Sequence, residues 1–101
     1  MSLPHLLLVD DSEAVLAFEK AALAGHYALS TASNGREALQ KLPQLMPAAV
    51  LLDLSMPEMD GDEALRRMQQ DPRLRPIPVI VISSETRRAE PFLGLGARPF
   101  F

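Results

Sequence analysis

The chain has 101 residues, of which 48% are hydrophobic and 23% are charged, and its formal net charge is −3. This length and composition suit one small globular domain, spanning residues 1-101, and exclude a disordered chain. The negative charge argues against a nucleic-acid-binding face, and the lack of cysteine excludes disulfides and thiolate metal sites.

The first predicted element is a strand over Leu6–Val9, which ends at the acidic pair Asp10 and Asp11. This apolar run is too short for a signal sequence or a membrane span, so we expect a cytoplasmic protein that does not contact a membrane. Ser12 then predicts the N-cap of a first helix, with Glu13 in its first turn.

The first helix carries apolar residues at helical spacing, which predict its apolar stripe: Val15, Phe18 and Ala22. Gly25 follows this pattern at the place where a left-handed residue ends many helices. Residues 27–32 then alternate larger and smaller side chains, which indicates a second strand at the edge of the sheet.

The second helix has a clear start and end in the sequence. Asn34 predicts its N-cap, and Glu37 is spaced to reach back to that residue. The expected buried stripe is Ala38, Leu39 and Leu42. Pro43, together with Pro47, predicts the exit from the helix.

Two further apolar runs predict central strands, because each is uninterrupted and is bounded by polar residues. One ends at Asp53, and the other ends at Ser83. A third helix through Leu65 and Met68 lies between them.

Residues 85–95, beyond the second of these runs, are weakly helical and predict a fourth helix. Residues 98–101 predict the start of a fifth strand.

Strands that alternate with helices predict a parallel sheet with helices on both faces. In such sheets the ligand site lies beyond the carboxyl ends of the strands. The carboxylates of Asp10, Asp11 and Asp53 and the hydroxyl of Ser83 should therefore converge in one cleft, which suits a divalent cation and a phosphoryl group.

Three segments resemble the receiver domain of bacterial two-component response regulators: Val9–Ser12, Leu52–Gly61 and Pro78–Ser84. They occur in the family's order, and the similarity covers nearly the whole chain. It implies a flavodoxin-like α/β fold, a doubly wound parallel five-stranded sheet of strand order 2-1-3-4-5. It also implies a regulatory phosphoacceptor of a phosphorelay rather than an enzyme.

The resemblance also implies the site. Asp53 would accept a phosphoryl group from a sensor histidine kinase or a histidine phosphotransfer protein. The side chains of Asp11 and Asp53 and the backbone carbonyl of Ser55 would hold Mg²⁺, with Asp10 acting largely through a bound water. Ser83 would hydrogen-bond the phosphoryl group and move as the switch.

The family's phosphoryl-contacting lysine has no clear counterpart. Arg98-Pro99 matches the family's Lys-Pro only if a long deletion precedes it. Alternatively, Gly96-Ala97 matches the Gly-Ala before the fifth strand, and Phe100 takes the aromatic switch position. We prefer this second alignment because it needs only a small deletion in the fourth helix.

On the preferred alignment the fifth strand is incomplete and the fifth helix is missing from residues 1-101. We expect that loss to expose apolar surface and to favour a homodimer.

Two rival functions are weighed against the phosphoacceptor. A pseudo-receiver, which binds partners without being phosphorylated, is favoured by the missing lysine and opposed by the acidic residues. A Mg²⁺-dependent phosphatase of related topology is disfavoured because Asp53-Leu54-Ser55 lacks the second acid of the Asp-x-Asp motif.

Overall fold

The computed structural model describes residues 3–53, 61–82 and 98–99. These residues form five strands, β1 (His5–Val9), β2 (Ala28–Ala32), β3 (Ala49–Asp53), β4 (Val79–Ile82) and β5 (Arg98–Pro99). They also form three helices, α1 (Glu13–Leu23), α2 (Gly35–Leu45) and α3 (Gly61–Gln70). The predicted fourth helix over residues 85–95 lies outside the described residues.

The five strands form one sheet of order β2-β1-β3-β4-β5, in which all neighbours pair in parallel. This order confirms the predicted doubly wound fold. β1, β3 and β4 occupy the centre, where apolar side chains on both faces are buried. β2 lies at one edge, as its mixed sequence predicts, and the two-residue β5 pairs with the other side of β4.

The helices divide between the two faces of the sheet. α2 and α3 pack on one face around a core that includes Leu7, Leu42, Leu65 and Val81. On the other face Leu16, in α1, packs with the first-strand residues Leu6 and Leu8 in a smaller cluster. Burying each such leucine stabilises the fold by roughly 1.5–3 kcal/mol relative to leaving it exposed.

The ends of α1 follow the predicted capping residues. The Ser12 hydroxyl accepts a hydrogen bond from the backbone N–H of Val15, with 3.3 Å between the two atoms. At the other end Gly25 has φ +87°, a backbone conformation that glycine adopts without the penalty a side chain would bring. The sequence therefore predicted both boundaries of this helix.

The predicted apolar stripe of α1 lies on the exposed side of the helix. Phe18 is 74% exposed and Val15 is 40% exposed, and Ala22 is also exposed. The helix instead turns Leu16 and the partly buried Leu23 toward the sheet. Periodicity showed that an apolar stripe exists, but it did not identify which of two neighbouring stripes the sheet covers.

α2 begins and ends as predicted, with its last residue, Leu45, between Pro43 and Pro47. The Asn34 side chain accepts a hydrogen bond from the Glu37 N–H at 2.8 Å, and both Ala38 and Leu42 are buried. Pro43 does not end the helix, which continues to Leu45, because Pro43 lies in the last turn and affects few helical hydrogen bonds.

The C-cap of α2 is Met46, a non-glycine residue in the left-handed conformation with φ 42°.

In the described part of the chain, no helix is both long enough and apolar enough to cross a membrane.

Candidate functional site

The register of the central strands places two of the predicted acids at one edge of the sheet. β1 and β3 pair in parallel with Val9 opposite Leu52. The next residues along these strands are Asp10 and Asp53, so their backbones lie side by side at the carboxyl edge. This is the edge at which ligands bind in open parallel sheets.

Asp10 is held in place by its own backbone and by its neighbours. Its N–H donates to the carbonyl oxygen of Ala32 at 3.1 Å, and its carboxylate accepts a hydrogen bond from the Ser12 N–H at 2.9 Å. The residue is only 5% exposed, the one buried charged residue among those described. A buried carboxylate needs such partners, because burial strongly disfavours an uncompensated charge.

Asp11 lies between Asp10 and Ser12 and is exposed. It stands one residue before the N-cap of α1, near the positive end of the helix dipole. Negative groups are favoured at that end of a helix. Asp11 thus supplies a solvent-accessible carboxylate beside a buried one.

β4, the strand next to β3, extends the same edge of the sheet. Asp53 pairs with Ile82 in the β3–β4 ladder, and Ser83 is the next residue in the chain. Ser83, Ser55 and Phe100 lie outside the described residues. The structure therefore brings the backbones of Asp10 and Asp53 together and leaves the predicted roles of the other three as predictions.

The chemistry of this edge fits a magnesium ion. Mg²⁺ prefers oxygen ligands, binds through one or two carboxylates and keeps several waters. Asp10 and Asp11 provide one buried and one exposed carboxylate. Among the described side chains, no three acids or histidines come close enough together to hold an ion.

A network at the end of β2 supports this edge. The Glu37 carboxylate accepts hydrogen bonds from the N–H and the hydroxyl of Ser33, at 3.0 and 2.6 Å. Lys41 lies 3.0 Å from Glu37 and also donates to the carbonyl oxygen of Thr31 at 2.5 Å. Bonds from the Ser33 hydroxyl and N–H, and then from Lys41, lower the pKa of Glu37 to about 2.

The sequence pattern predicted only part of this hydrogen-bond network. It expected Glu37 to reach Asn34, whereas the carboxylate reaches Ser33, which offers two donors instead of one. It missed Lys41 entirely. The signal was present as a Glu–Lys pair four residues apart on one helix face. The network ties α2 to the strand whose last carbonyl holds Asp10.

Known proteins resemble this chain closely. A family model described as "Response regulator receiver domain" matches residues 6–101. The response regulator PleD of Caulobacter vibrioides is 40% identical over 99 residues, which cover 95% of this chain and 22% of PleD. The chain thus spans about a fifth of the length of that relative.

Two solved structures show the same fold. The N-terminal domain of a response regulator receiver protein from Methanoculleus marisnigri has a TM-score of 0.87 and 35% identity, covering 99% of this chain and 84% of its own. The phosphorylated cyanobacterial phytochrome response regulator RcpA has a TM-score of 0.87 and 29% identity, covering 99% and 80%. The chain therefore belongs to the response regulator receiver domain family of two-component signalling.

Proposed function

We propose that residues 1–101 act as a phosphoacceptor domain in which Asp53 takes a phosphoryl group from a phosphohistidine. The donor would be a sensor histidine kinase or a histidine phosphotransfer protein. The observation that carries the proposal is the register of β1 and β3, which sets Asp10 beside Asp53 at the carboxyl edge. The phosphorylated state of RcpA, a structural relative, gives independent support.

The transfer itself is a simple exchange of bonds. A carboxylate oxygen of Asp53 forms a bond to phosphorus as the bond from phosphorus to the donor's imidazole nitrogen breaks. The imidazole nitrogen takes a proton, and Asp53 becomes an acyl phosphate. The protein's main contribution is to position the groups and stabilise charge, since phosphoryl transfer has a loose, in-line transition state.

Asp10, Asp11, Asp53 and the Ser55 carbonyl would hold Mg²⁺. Bound there, the ion would neutralise negative charge on the phosphoryl group and the carboxylates around it. The chain's own part is to keep Asp10 buried, hydrogen-bonded and fixed relative to β3. The exposed Asp11 is the acid through which an ion would enter from solvent.

The Ser83 hydroxyl would donate a hydrogen bond to a phosphoryl oxygen, because Ser83 follows Ile82, the residue that pairs with Asp53. Phe100, the residue that follows β5 in the chain, would change position with it. Formation and loss of an acyl phosphate can bias a two-state element in this way. We place this switch in the cytoplasm, where the proposed kinase domain would act.

The test is an intact mass spectrum after incubation with a small acyl phosphate, with and without Mg²⁺. We expect a gain of one phosphoryl group that requires Mg²⁺ and is absent from Asp53→Asn. Asp71→Asn is the matched control, because Asp71 is a partly exposed carboxylate in the loop between α3 and β4. No gain in the folded wild-type chain would contradict the proposal.

The second candidate is a pseudo-receiver that binds partners without phosphorylation. The alternative alignment favours it, because there Arg98 stands in place of the family's lysine. The same mass spectrum separates the two functions. A pseudo-receiver would stay unmodified at every Mg²⁺ concentration, whereas a phosphoacceptor would be modified in proportion to bound ion.

A further inference from the structure

β2 is the edge strand of the described sheet, and β1 is its one neighbour there. The Ala32 carbonyl accepts a hydrogen bond from the Asp10 N–H at 3.1 Å, so Ala32 faces β1. Along an edge strand of a parallel sheet, residues alternately bond to the neighbouring strand and turn away from it. Leu29 and Thr31 therefore direct both their N–H and their C=O groups away from β1. We call these outward groups the outer edge of β2.

An outer edge of this kind is a template on which another strand can form hydrogen bonds. The β2 strands of two copies would pair most simply in an antiparallel arrangement about a twofold axis at Ser30. Leu29 of each copy would then exchange N–H and C=O hydrogen bonds with Thr31 of the other copy. Every hydrogen-bonded pair of such a dimer uses a Thr31 carbonyl oxygen. That oxygen therefore decides whether the outer edge is open to a second strand.

Lys41, on α2, occupies the Thr31 carbonyl oxygen. Its Nζ donates to that oxygen at 2.5 Å and lies 3.0 Å from the Glu37 carboxylate. The Lys41 side chain is 40% exposed, so its charge is in contact with water beside the strand. An approaching strand would have to displace a charge-assisted hydrogen bond and to bury the ammonium group, and burial of a charge is costly.

The backbone beyond each end of the outer edge is also covered. Glu37 accepts a hydrogen bond from the Ser33 N–H at 3.0 Å, and the Tyr27 N–H donates to the Leu23 carbonyl oxygen at 3.3 Å. Between these covers, the described part of β2 keeps only the Leu29 groups and the Thr31 N–H for an incoming strand. Such a short stretch does not hold a strand stably.

We propose that Lys41 protects the edge of the sheet, because its ammonium group on the Thr31 carbonyl prevents the β2 strands of two copies from pairing. Lysine is one of the residues with which natural proteins make an edge strand unsuitable for pairing. Here the lysine comes from the helix that follows the strand. This role goes beyond the proposed phosphoacceptor function and does not require phosphorylation, so its tests stand whether or not Asp53 is modified.

The first test is sedimentation equilibrium of wild type and Lys41→Met over a wide concentration range. Methionine keeps the unbranched apolar stem and removes the ammonium group. We expect Lys41→Met to self-associate on the order of tenfold more tightly than wild type, since each copy regains an edge acceptor. An average mass equal to that of wild type at every concentration overturns the proposal.

Lys20→Met is the matched control, because it makes the same change of charge and shape beside the same strand. Lys20 lines a groove between α1 and β2 together with Thr31. The described contacts give its ammonium group no hydrogen bond to the backbone of β2. We expect Lys20→Met to behave as wild type, and equal association of the two variants overturns the proposal.

Two further variants separate the bond to Thr31 from the ion pair with Glu37. Glu37→Gln removes the ion pair but leaves Lys41 on the carbonyl, and its amide oxygen can still accept from Ser33. Lys41→Arg keeps a charged donor at the edge. Both should behave as wild type, and association of Glu37→Gln as tight as that of Lys41→Met overturns the role of the bond to Thr31.

Amide hydrogen exchange tests where the copies of Lys41→Met meet. Pairing through β2 should slow exchange of the outward Leu29 and Thr31 amides on the order of tenfold between dilute and concentrated protein. In wild type the same amides should exchange at rates independent of concentration. Association of partly unfolded chains would instead speed exchange of the inward Ser30 amide. That result, or unchanged exchange at Leu29 and Thr31, overturns the proposal.

Discussion

The backbone N–H of Asp10 donates to the carbonyl oxygen of Ala32, with 3.1 Å between nitrogen and oxygen. This bond continues the β1–β2 ladder one residue beyond Val9, the last residue of β1. The hydrogen bonds of the sheet therefore hold the backbone of Asp10 in place. If Asp10 holds Mg²⁺ as proposed, its backbone needs no further ordering when the ion binds, which favours binding.

Replacing Asp10 with asparagine should weaken Mg²⁺ binding while keeping the fold. The amide oxygen can still accept the hydrogen bond from the Ser12 N–H, whose length is 2.9 Å. Loss of one negative charge should raise the Mg²⁺ dissociation constant on the order of tenfold. Calorimetric titration measures it, with Asp71→Asn as the control. Equal affinities in the two variants would remove Asp10 from the proposed metal site.

Glu37 should make stability depend on pH. Its pKa falls from 4.5 to about 2 on folding. A lowered pKa means that its stabilisation is fully present above about pH 4.5 and disappears as the pH falls toward 2. Because the side chain is 35% exposed, we reduce the effect for solvent screening to about 1 kcal/mol at pH 7.

The measurement is urea unfolding of wild type and Glu37→Gln at several pH values. The difference in unfolding free energy should shrink steadily below pH 4.5. Glu63→Gln is the control, since Glu63 also pairs with a cation four residues later, Arg67, in an exposed position. A difference that does not change with pH would mean that the Glu37 charge contributes nothing.

The two stripes of α1 should differ sharply in their effect on stability. Leu16 is 9% exposed, so Leu16→Ala should cost about 2–3 kcal/mol. Phe18 is 74% exposed, so in dilute protein Phe18→Ala should change stability by less than about 0.5 kcal/mol. Urea unfolding at low protein concentration measures both. A larger loss for Phe18→Ala would mean that the Phe18 side chain packs against the rest of the domain.

Two residues at helix ends have a left-handed backbone conformation, and substitutions at them should change stability in opposite directions. Met46 has φ 42°, so Met46→Gly should stabilise the protein by about 0.5–1 kcal/mol through relief of steric strain. Gly25 has φ +87° and open space where a Cβ would lie, so Gly25→Ala should cost about 1 kcal/mol from the backbone alone. Thermal unfolding of both variants checks the signs, and two shifts of the same sign would contradict this explanation.

The sequence predicted the sheet well because its signals are local. Uninterrupted apolar runs identified β1, β3 and β4, and Ser12, Gly25 and Asn34 marked helix ends through their own hydrogen-bonding or conformational preferences. Chain order and apolarity placed β1, β3 and β4 at the centre and β2 at an edge, and the full order 2-1-3-4-5 came from the resemblance to receiver domains. The position of Asp10 beside Asp53 is a consequence of that order.

What the sequence did not predict depends on distant parts of the chain. The buried face of α1 is the one that carries Leu16, which packs with Leu6 and Leu8 of β1, and periodicity within the helix does not contain those contacts. Lys41 binds the carbonyl of Thr31, ten residues away on another element.

In the proposed function Asp53 itself carries the phosphoryl group. After incubation with Mg²⁺ and an acyl phosphate, borohydride reduction would convert an aspartyl phosphate to homoserine, and peptide mapping would locate it. We predict homoserine at position 53 and at no other aspartate. Homoserine at another aspartate, or a phosphoryl group that resists reduction because it sits on a serine, would contradict the account.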